Sequence, residues 1–365
     1  LTRGALNSPA QPAVMARMVP LLALVAPAFG CSNFMMQNDY RISGRTMDLG
    51  GLFGLDWGLR TFPRGAIQPG SITTPAMYGS VQVVPVELSV PLNFLVVAGM
   101  NEAGLSCDAQ TLISTDMPRK GDGPNELNVL MFCQWALAMH NSTDAVRAAL
   151  LDGSVHVFGS ELESGSTGLH FGLRDAAGRS AVVEFVGKAM QVYQDLNDGI
   201  NGFGIMTNEP EYPWMVRMVE HFGWKQSLAR PSTALPGSFY PDERYLRIHL
   251  IKSGMPAPGS LREAIMQATH VLNTVTVPMG AQMGTDSGAG EGAGDHTMWG
   301  FVYDHARSVI YWRTETNHNL QRLPLAIVNL AEGAAPGMLL KLTSNELPWY
   351  NDALSDIDPY HAKQA

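Results

Sequence analysis

The sequence predicts an α+β domain in which antiparallel sheets are segregated from helices. Three patterns lead there. Beyond residue 31 the chain runs strand-rich, then helical, then strand-rich again. The stretch GLHFGLRDAAGRSAVVEFVGKAMQVYQD, from Gly168 to Asp195, reads as a three-stranded meander with turns at DAAG and GK. Near the end, HTMWGFVYDHARSVIYWRTETN reads as a hairpin turning at Asp304-His305-Ala306-Arg307.

The other elements follow in order. FLVVAGMNEAGLSC (94–107) is strand-like and puts Cys107 at a packed position. In NVLMFCQWALAMH, Leu130, Cys133 and Leu137 recur at helical spacing, so Cys133 is expected as a buried core cysteine. Ser142 or Thr143 can cap the helix DAVRAALL. Two further segments read as helical, Glu209 to Gly223 and Pro241 to Ser253. GAGEGAG (288–294) has no strand leading into it, so it reads as a loop and not as a phosphate-binding turn. No repeat or linker divides the chain. One domain over 31–350 is expected, with a polar tail over 351–365.

Composition narrows the function. Of 365 residues, 45% are apolar and 16% charged, which suits a globular domain with a sizeable core. The net charge is −9, its acidic residues are dispersed, and no basic patch carries interleaved aromatics. Nucleic acid is therefore not the expected partner. There is no C-x-x-C and no HExxH, so no metal site is expected. Three cysteines, Cys31, Cys107 and Cys133, cannot make a disulfide framework, and at least one stays unpaired. No apolar run reaches the roughly 18–20 residues that span a bilayer.

The first thirty residues read as a leader. Arg3 and Arg17 precede a short apolar run, Met18 to Gly30, and no acidic residue intervenes. Ala28 and Gly30 place small residues at −3 and −1 for a cut after Gly30, and Pro20 and Pro27 discourage a core helix. Such a cut makes Cys31 the first residue, with a thiol and a free α-amine on one residue. An α-amine has a reference pKa of about 7.7–8.0 and can serve as base toward its own thiol. The rival is a lipoprotein acylated on Cys31, which would destroy that base. An exported location follows from either reading.

Gly44-Arg45-Thr46-Met47-Asp48 follows Cys31 after a polar turn. Read as a strand, it puts Thr46 and Asp48 on one face and Arg45 and Met47 on the other. A bend or bulge is then needed for Arg45 and Asp48 to meet one site. Asp48 suits an α-ammonium, and Arg45 a thiolate, since a neighbouring cation favours the thiolate.

With these residues on the page the chain resembles the choloylglycine hydrolase family, which holds penicillin V acylases and bile salt hydrolases. CSNF followed by GRTMD matches the start of the mature family chain. GMNEAGL (99–105), MTNEP (206–210), LPGSFYPDERYLR (235–247) and the final hairpin match further segments in the family's order. The resemblance implies a four-layer αββα N-terminal-nucleophile sandwich. It implies Cys31 as nucleophile, Arg45 and Asp48 as its partners, the Asn208 side chain as an oxyanion donor and Arg244 as completing the polar centre. It also implies an oxyanion contact from the backbone N–H of Thr111, or of Gln110 on a one-residue slip. The Tyr of penicillin acylases and the Asn of bile salt hydrolases are both missing there, so the substrate class stays open.

The function expected is hydrolysis of a linear amide C–N bond in a small N-acyl compound, without cofactor. Phe53 and Trp57 are candidates for the floor of an acyl pocket, or else ordinary core. Two other readings are weighed: a secreted or lipid-anchored binding protein without catalysis, and a cysteine protease. Oligomeric state is left open, a homo-oligomer included.

Overall fold

The structure is a computed structural model. It describes residues 30–50, 56–67, 74–86, 95–159, 168–194, 203–228, 235–281, 295–344 and 346–350. In chain order these form β1 (Ser32–Met35), β2 (Ile42–Gly50), β3 (Trp57–Phe62), β4 (Ser80–Pro85), β5 (Ala98–Asn101), β6 (Ser106–Thr111) and β7 (Glu126–Asn128). Two helices follow, α1 (Phe132–Met139) and α2 (Thr143–Leu151), then β8 (His156–Phe158). The meander is β9 (Leu169–Arg174), β10 (Ser180–Val186) and β11 (Ala189–Gln194), and β12 (Ile205–Thr207) comes after it. Helices α3 (Tyr212–Leu228), α4 (Pro241–Gly254) and α5 (Leu261–Val275) precede β13 (Asp295–Asp304), β14 (Val309–Thr314), β15 (Gln321–Pro324) and β16 (Gly337–Lys341).

The strands assemble into two large antiparallel sheets. Six form the order β12-β1-β2-β13-β14-β15 and eight the order β11-β10-β9-β6-β5-β4-β3-β16. A small parallel pair, β7 with β8, lies apart. Helices α4 and α5 pack on the first sheet, against β1, β12, β2 and β13, while α1 packs on β5 and β6 of the second. The inner faces of the sheets touch, since Asn33 of β1 and Tyr303 of β13 both bond Asp108 of β6. The layers are thus helix, sheet, sheet, helix.

Local chemistry explains the registers. Phe34 of β1 pairs with Gly44 of β2, and its ring lies over the glycine. A Cβ at Gly44 would sit 2.4 Å from that ring, so the strand needs glycine there. The NEAGL turn joins β5 to β6 with Gly104 at φ +84°, a conformation that favours glycine. The turn is clasped from the other sheet by His305, whose Nδ1 donates to the Gly104 carbonyl at 2.8 Å. The Ser43 hydroxyl donates to the opposite ring nitrogen at 2.7 Å. Burial pushes this histidine down to about 4, so it holds both bonds as a neutral ring.

The meander, the final hairpin and the α4 segment stand where the sequence puts them. Ser142 is the cap of α2, its hydroxyl accepting from the Ala145 N–H at 3.3 Å. The helix expected from Glu209 begins at Tyr212 instead. Pro210 disfavours helix at the residue before it, and Pro213 falls in the first turn, where a missing N–H is harmless. Phe53, residues 1–29, 288–294 and 351–365 lie outside the described residues.

Cys107 and Cys133 stand at packed positions as expected, and the structure adds their pairing. They form a disulfide with a Cα–Cα separation of 5.3 Å that ties β6 to α1. Periodicity reports that each residue is buried; it does not report which buried residue lies opposite. The bond closes a loop of 26 residues. Cys133→Ala is expected to lower unfolding free energy by about 3 kcal/mol in urea titrations, and reductant should then have no further effect on the variant.

Candidate active site

Strand β1 lies between β2 and β12, and pairing begins at Ser32, which faces Thr46 and Thr207. The Ser32 N–H also donates to the Thr46 hydroxyl at 3.0 Å. Cys31 therefore sits at the open end of a central strand. Its side chain is 3% exposed, and its sulfur lies 3.8 Å from the Met47 sulfur and 3.7 Å from the Asp48 carbonyl oxygen.

Arg45 is fully buried on the inter-sheet face of β2. Its guanidinium donates to the Thr46 carbonyl and, at 2.7 Å, to the Ala109 carbonyl of the opposite sheet. Its Nε lies 3.8 Å from Asp108 Oδ1, and the ring of Trp299 lies 5.6 Å away. Trp57 braces that ring edge-on at 6.2 Å. Burial works against the charge of Arg45, but Cys31 and Asp108 outweigh it and hold the group above its usual value.

Asp48 accepts from the Thr297 hydroxyl at 2.6 Å. It also walls the backbone leading into Cys31: a Cβ at Gly30 would lie 2.1 Å from the Asp48 Cβ and 2.4 Å from Oδ2. Only glycine fits before Cys31 in this conformation. The bend or bulge expected within the RTMD segment is absent. The register shift lies in β13, between Thr297 and Trp299, and β2 runs on. Arg45 and Asp48 still meet at Cys31 because a residue at a strand end can be approached from both faces.

Arg244, from the first turn of α4, ties the centre together. It is fully buried and donates to the carbonyls of Phe239 (2.8 Å) and Cys31 (2.5 Å), the Ser32 hydroxyl (2.7 Å) and Asn208 Oδ1 (2.9 Å). Burial pushes its guanidinium down to about 10, against the pull of Asp48 and Cys31. By holding Asn208 Oδ1, Arg244 fixes which way that amide points. The Asn208 Nδ2 then donates to the Thr111 carbonyl (2.9 Å) and hydroxyl (3.0 Å). Thr111, not Gln110, is thus the residue that meets Asn208. Arg247, one turn on, bonds carbonyls of Thr274, Pro236 and Ser238 instead.

Cys31, Asp48 and Thr111 line one cleft. Its walls are Met47, Leu49, Trp57, Leu95, Val97, Leu130 and Leu169, with Cys31, Asp48, Gln110 and Thr111 as the polar or reactive members. Such a cleft can hold an apolar group beside a thiol. Among the described residues, no three His, Cys, Asp or Glu side chains gather as metal ligands.

Sequence reasoning missed Asp108. Its carboxylate accepts from Asn33 Nδ2 at 2.5 Å and the Tyr303 hydroxyl at 3.2 Å, and it faces Arg45. The one available signal was an acidic residue inside an otherwise strand-like run, LSCDAQTL. Burial pushes Asp108 up to about 6, against Arg45 and Arg174. A carboxyl raised from 3.8 to about 6 adds stability fully present below about 3.8 and lost as pH rises through 6. Relative to Asp108→Asn, the wild type should therefore lose about 2 kcal/mol between pH 4 and pH 7, read from denaturation midpoints. Arg244→Met should cost about 3 kcal/mol at neutral pH, because it strands the buried Asn208 and Cys31 oxygens.

Comparison with known proteins agrees with this geometry. Residues 31–341 match the family model of linear amide C–N hydrolases, choloylglycine hydrolase family. A bile salt hydrolase/transferase of Clostridium perfringens is 25% identical over 251 residues, 64% of this chain and 73% of that protein. A penicillin V acylase of Pectobacterium atrosepticum is 21% identical over 363 residues, 93% and 92% of the two chains. Among solved structures, penicillin V acylase from Agrobacterium tumefaciens superposes with a TM-score of 0.68 at 22% identity, over 85% of this chain and 91% of that one. A mutant conjugated bile acid hydrolase from Clostridium perfringens gives 0.68 at 19%, over 84% and 96%. Two facing antiparallel sheets between helices, a buried thiol at a strand end and a match over 31–341 have one reading: the chain belongs to the choloylglycine hydrolase family of linear amide C–N hydrolases.

Proposed function

We infer that the protein uses Cys31, freed as an N-terminal residue, to hydrolyse N-acyl amides through an acyl thioester. The observation that carries this is the convergence of Arg45, the Asp48 carbonyl and Arg244, which also holds Asn208, on one buried cysteine that lines an apolar cleft. The thiol proton passes to the α-amine of Cys31 while sulfur attacks the carbonyl carbon. The C–N bond then breaks, and the same proton leaves with the amine. Water, activated by the α-amine, splits the thioester and returns the thiol. Arg45 stabilises charge on sulfur. Asp48, beside the Gly30–Cys31 backbone, receives the α-ammonium. The carbonyl oxygen gains charge at the corner shared by Asn208 and Thr111, where the Asn208 amide exchanges a Thr111 oxygen for the developing charge and the low-dielectric site makes that donor count most.

The acyl group is apolar, because the cleft wall is. Trp57 serves as part of that wall. Cutting after Gly30 supplies the free amine, and the leader implies export. The buried disulfide fits an oxidising compartment. The burial of Cys31 at the cleft argues against its use as a lipid anchor.

The intact mass of the exported protein tests the first requirement: an unmodified Cys31 terminus is expected, and a diacylglycerol adduct would sink the proposal. Cys31→Ser should abolish cleavage of an N-acyl amide, with no peptide cleaved by either form. Asn208→Ala should lower kcat by about 10²–10³-fold with little change in KM.

A further inference from the structure

The cleft has a polar side chain with an acceptor that the reaction above leaves unused. Gln110 is 2% exposed and lines the cleft with Cys31. Neither its Oε1 nor its Nε2 has a hydrogen-bond partner. A buried carboxamide with both ends open is unusual, since most buried polar groups are paired.

Strand geometry says where it faces. Asn33 of β1 bonds Asp108 of β6 across the gap between the sheets. Side chains alternate along a strand, so Cys31 shares the face of Asn33, and Gln110 shares the face of Asp108. Each lies two residues from that bonded pair, and both line the same cleft. The carboxamide and the thiol therefore face one another. An internal partner was available and is not used. His170 stands opposite Gln110 in the β6–β9 register, but turns its Nδ1 to Glu184 at 3.1 Å and makes no bond to Gln110.

We propose that Gln110 is a specificity-determining residue that accepts the N–H of the scissile amide on its Oε1. This rests on the amide-hydrolase reading of the same site. A substrate amide brings two polar atoms to an otherwise apolar cleft. Its oxygen goes to the Asn208–Thr111 corner, which leaves its N–H to be met from the wall facing Cys31. Gln110 is the open acceptor on that wall. An ester of the same acid has no such hydrogen and leaves Gln110 unsatisfied, so the residue selects amides over esters.

The test uses the mature protein with the 4-nitroanilide and the 4-nitrophenyl ester of decanoic acid. Gln110→Met keeps length and packing but removes the acceptor. It should lower kcat/KM for the anilide roughly 10–100-fold while the ester changes by less than about threefold. An equal fall for both substrates, or no fall for the anilide, overturns the proposal and leaves the amide-hydrolase reading intact. A wild type that cleaves the ester and no amide overturns that reading itself, which is a different result. Should Gln110→Met fail to fold, the N-methylated anilide on the wild type decides. Cleavage at least about tenfold slower than the anilide is expected, and parity overturns the proposal.

Discussion

One guanidinium holds this site together. Arg244 donates to the backbone of Cys31, the hydroxyl of Ser32, the amide of Asn208 and the carbonyl of Phe239. These four come from the start of β1, the end of β12 and the approach to α4, segments far apart in sequence. A planar fork of donors can satisfy them together, where a lysine would supply a single point charge. Because three of the four partners, Cys31, Ser32 and Asn208, are buried, the arrangement stands or falls as a unit. A half-satisfied buried network costs more than an apolar one. The orientation of Asn208, and through it the placing of Thr111, follows from that one residue.

The layer between the sheets is unusual for a sandwich core. Arg45, Asp108, Arg174, His170 and Glu184 all lie there, buried. Asp108 balances Arg45, which is held in turn by carbonyls from both sheets and by Trp299. The charge facing Cys31 is thus fixed before any substrate arrives. Beside this polar strip the cleft wall is aliphatic and aromatic. On the proposed function the contrast sorts a substrate: its apolar part packs against the wall, and its one polar linkage is drawn to the strip.

Position at a strand end is the second constraint. A residue within a sheet shows its side chain to one face only. Cys31, just outside the paired part of β1, is reached by Arg45 from the inter-sheet side, by the Asp48 backbone, and by Arg244 from the helical side. The tight fit of Gly30 against Asp48 belongs to the same geometry. It sets a carboxylate against the backbone that leads into Cys31.

Much of this was legible in the residues themselves. Alternation and turn chemistry marked the meander and the closing hairpin, because a strand half-buried in a sheet must alternate. The ordered motifs pointed to Cys31, Arg45, Asp48, Asn208 and Arg244, which the fold gathers around the start of β1. Other features needed the folded chain. The Cys107–Cys133 bond, the Asp108 counter-charge, the bulge on β13 rather than β2, and the open carboxamide of Gln110 each depend on which strand lies across from which. Local sequence encodes what a residue prefers around it; only the packing of the two sheets decides which distant residue supplies it.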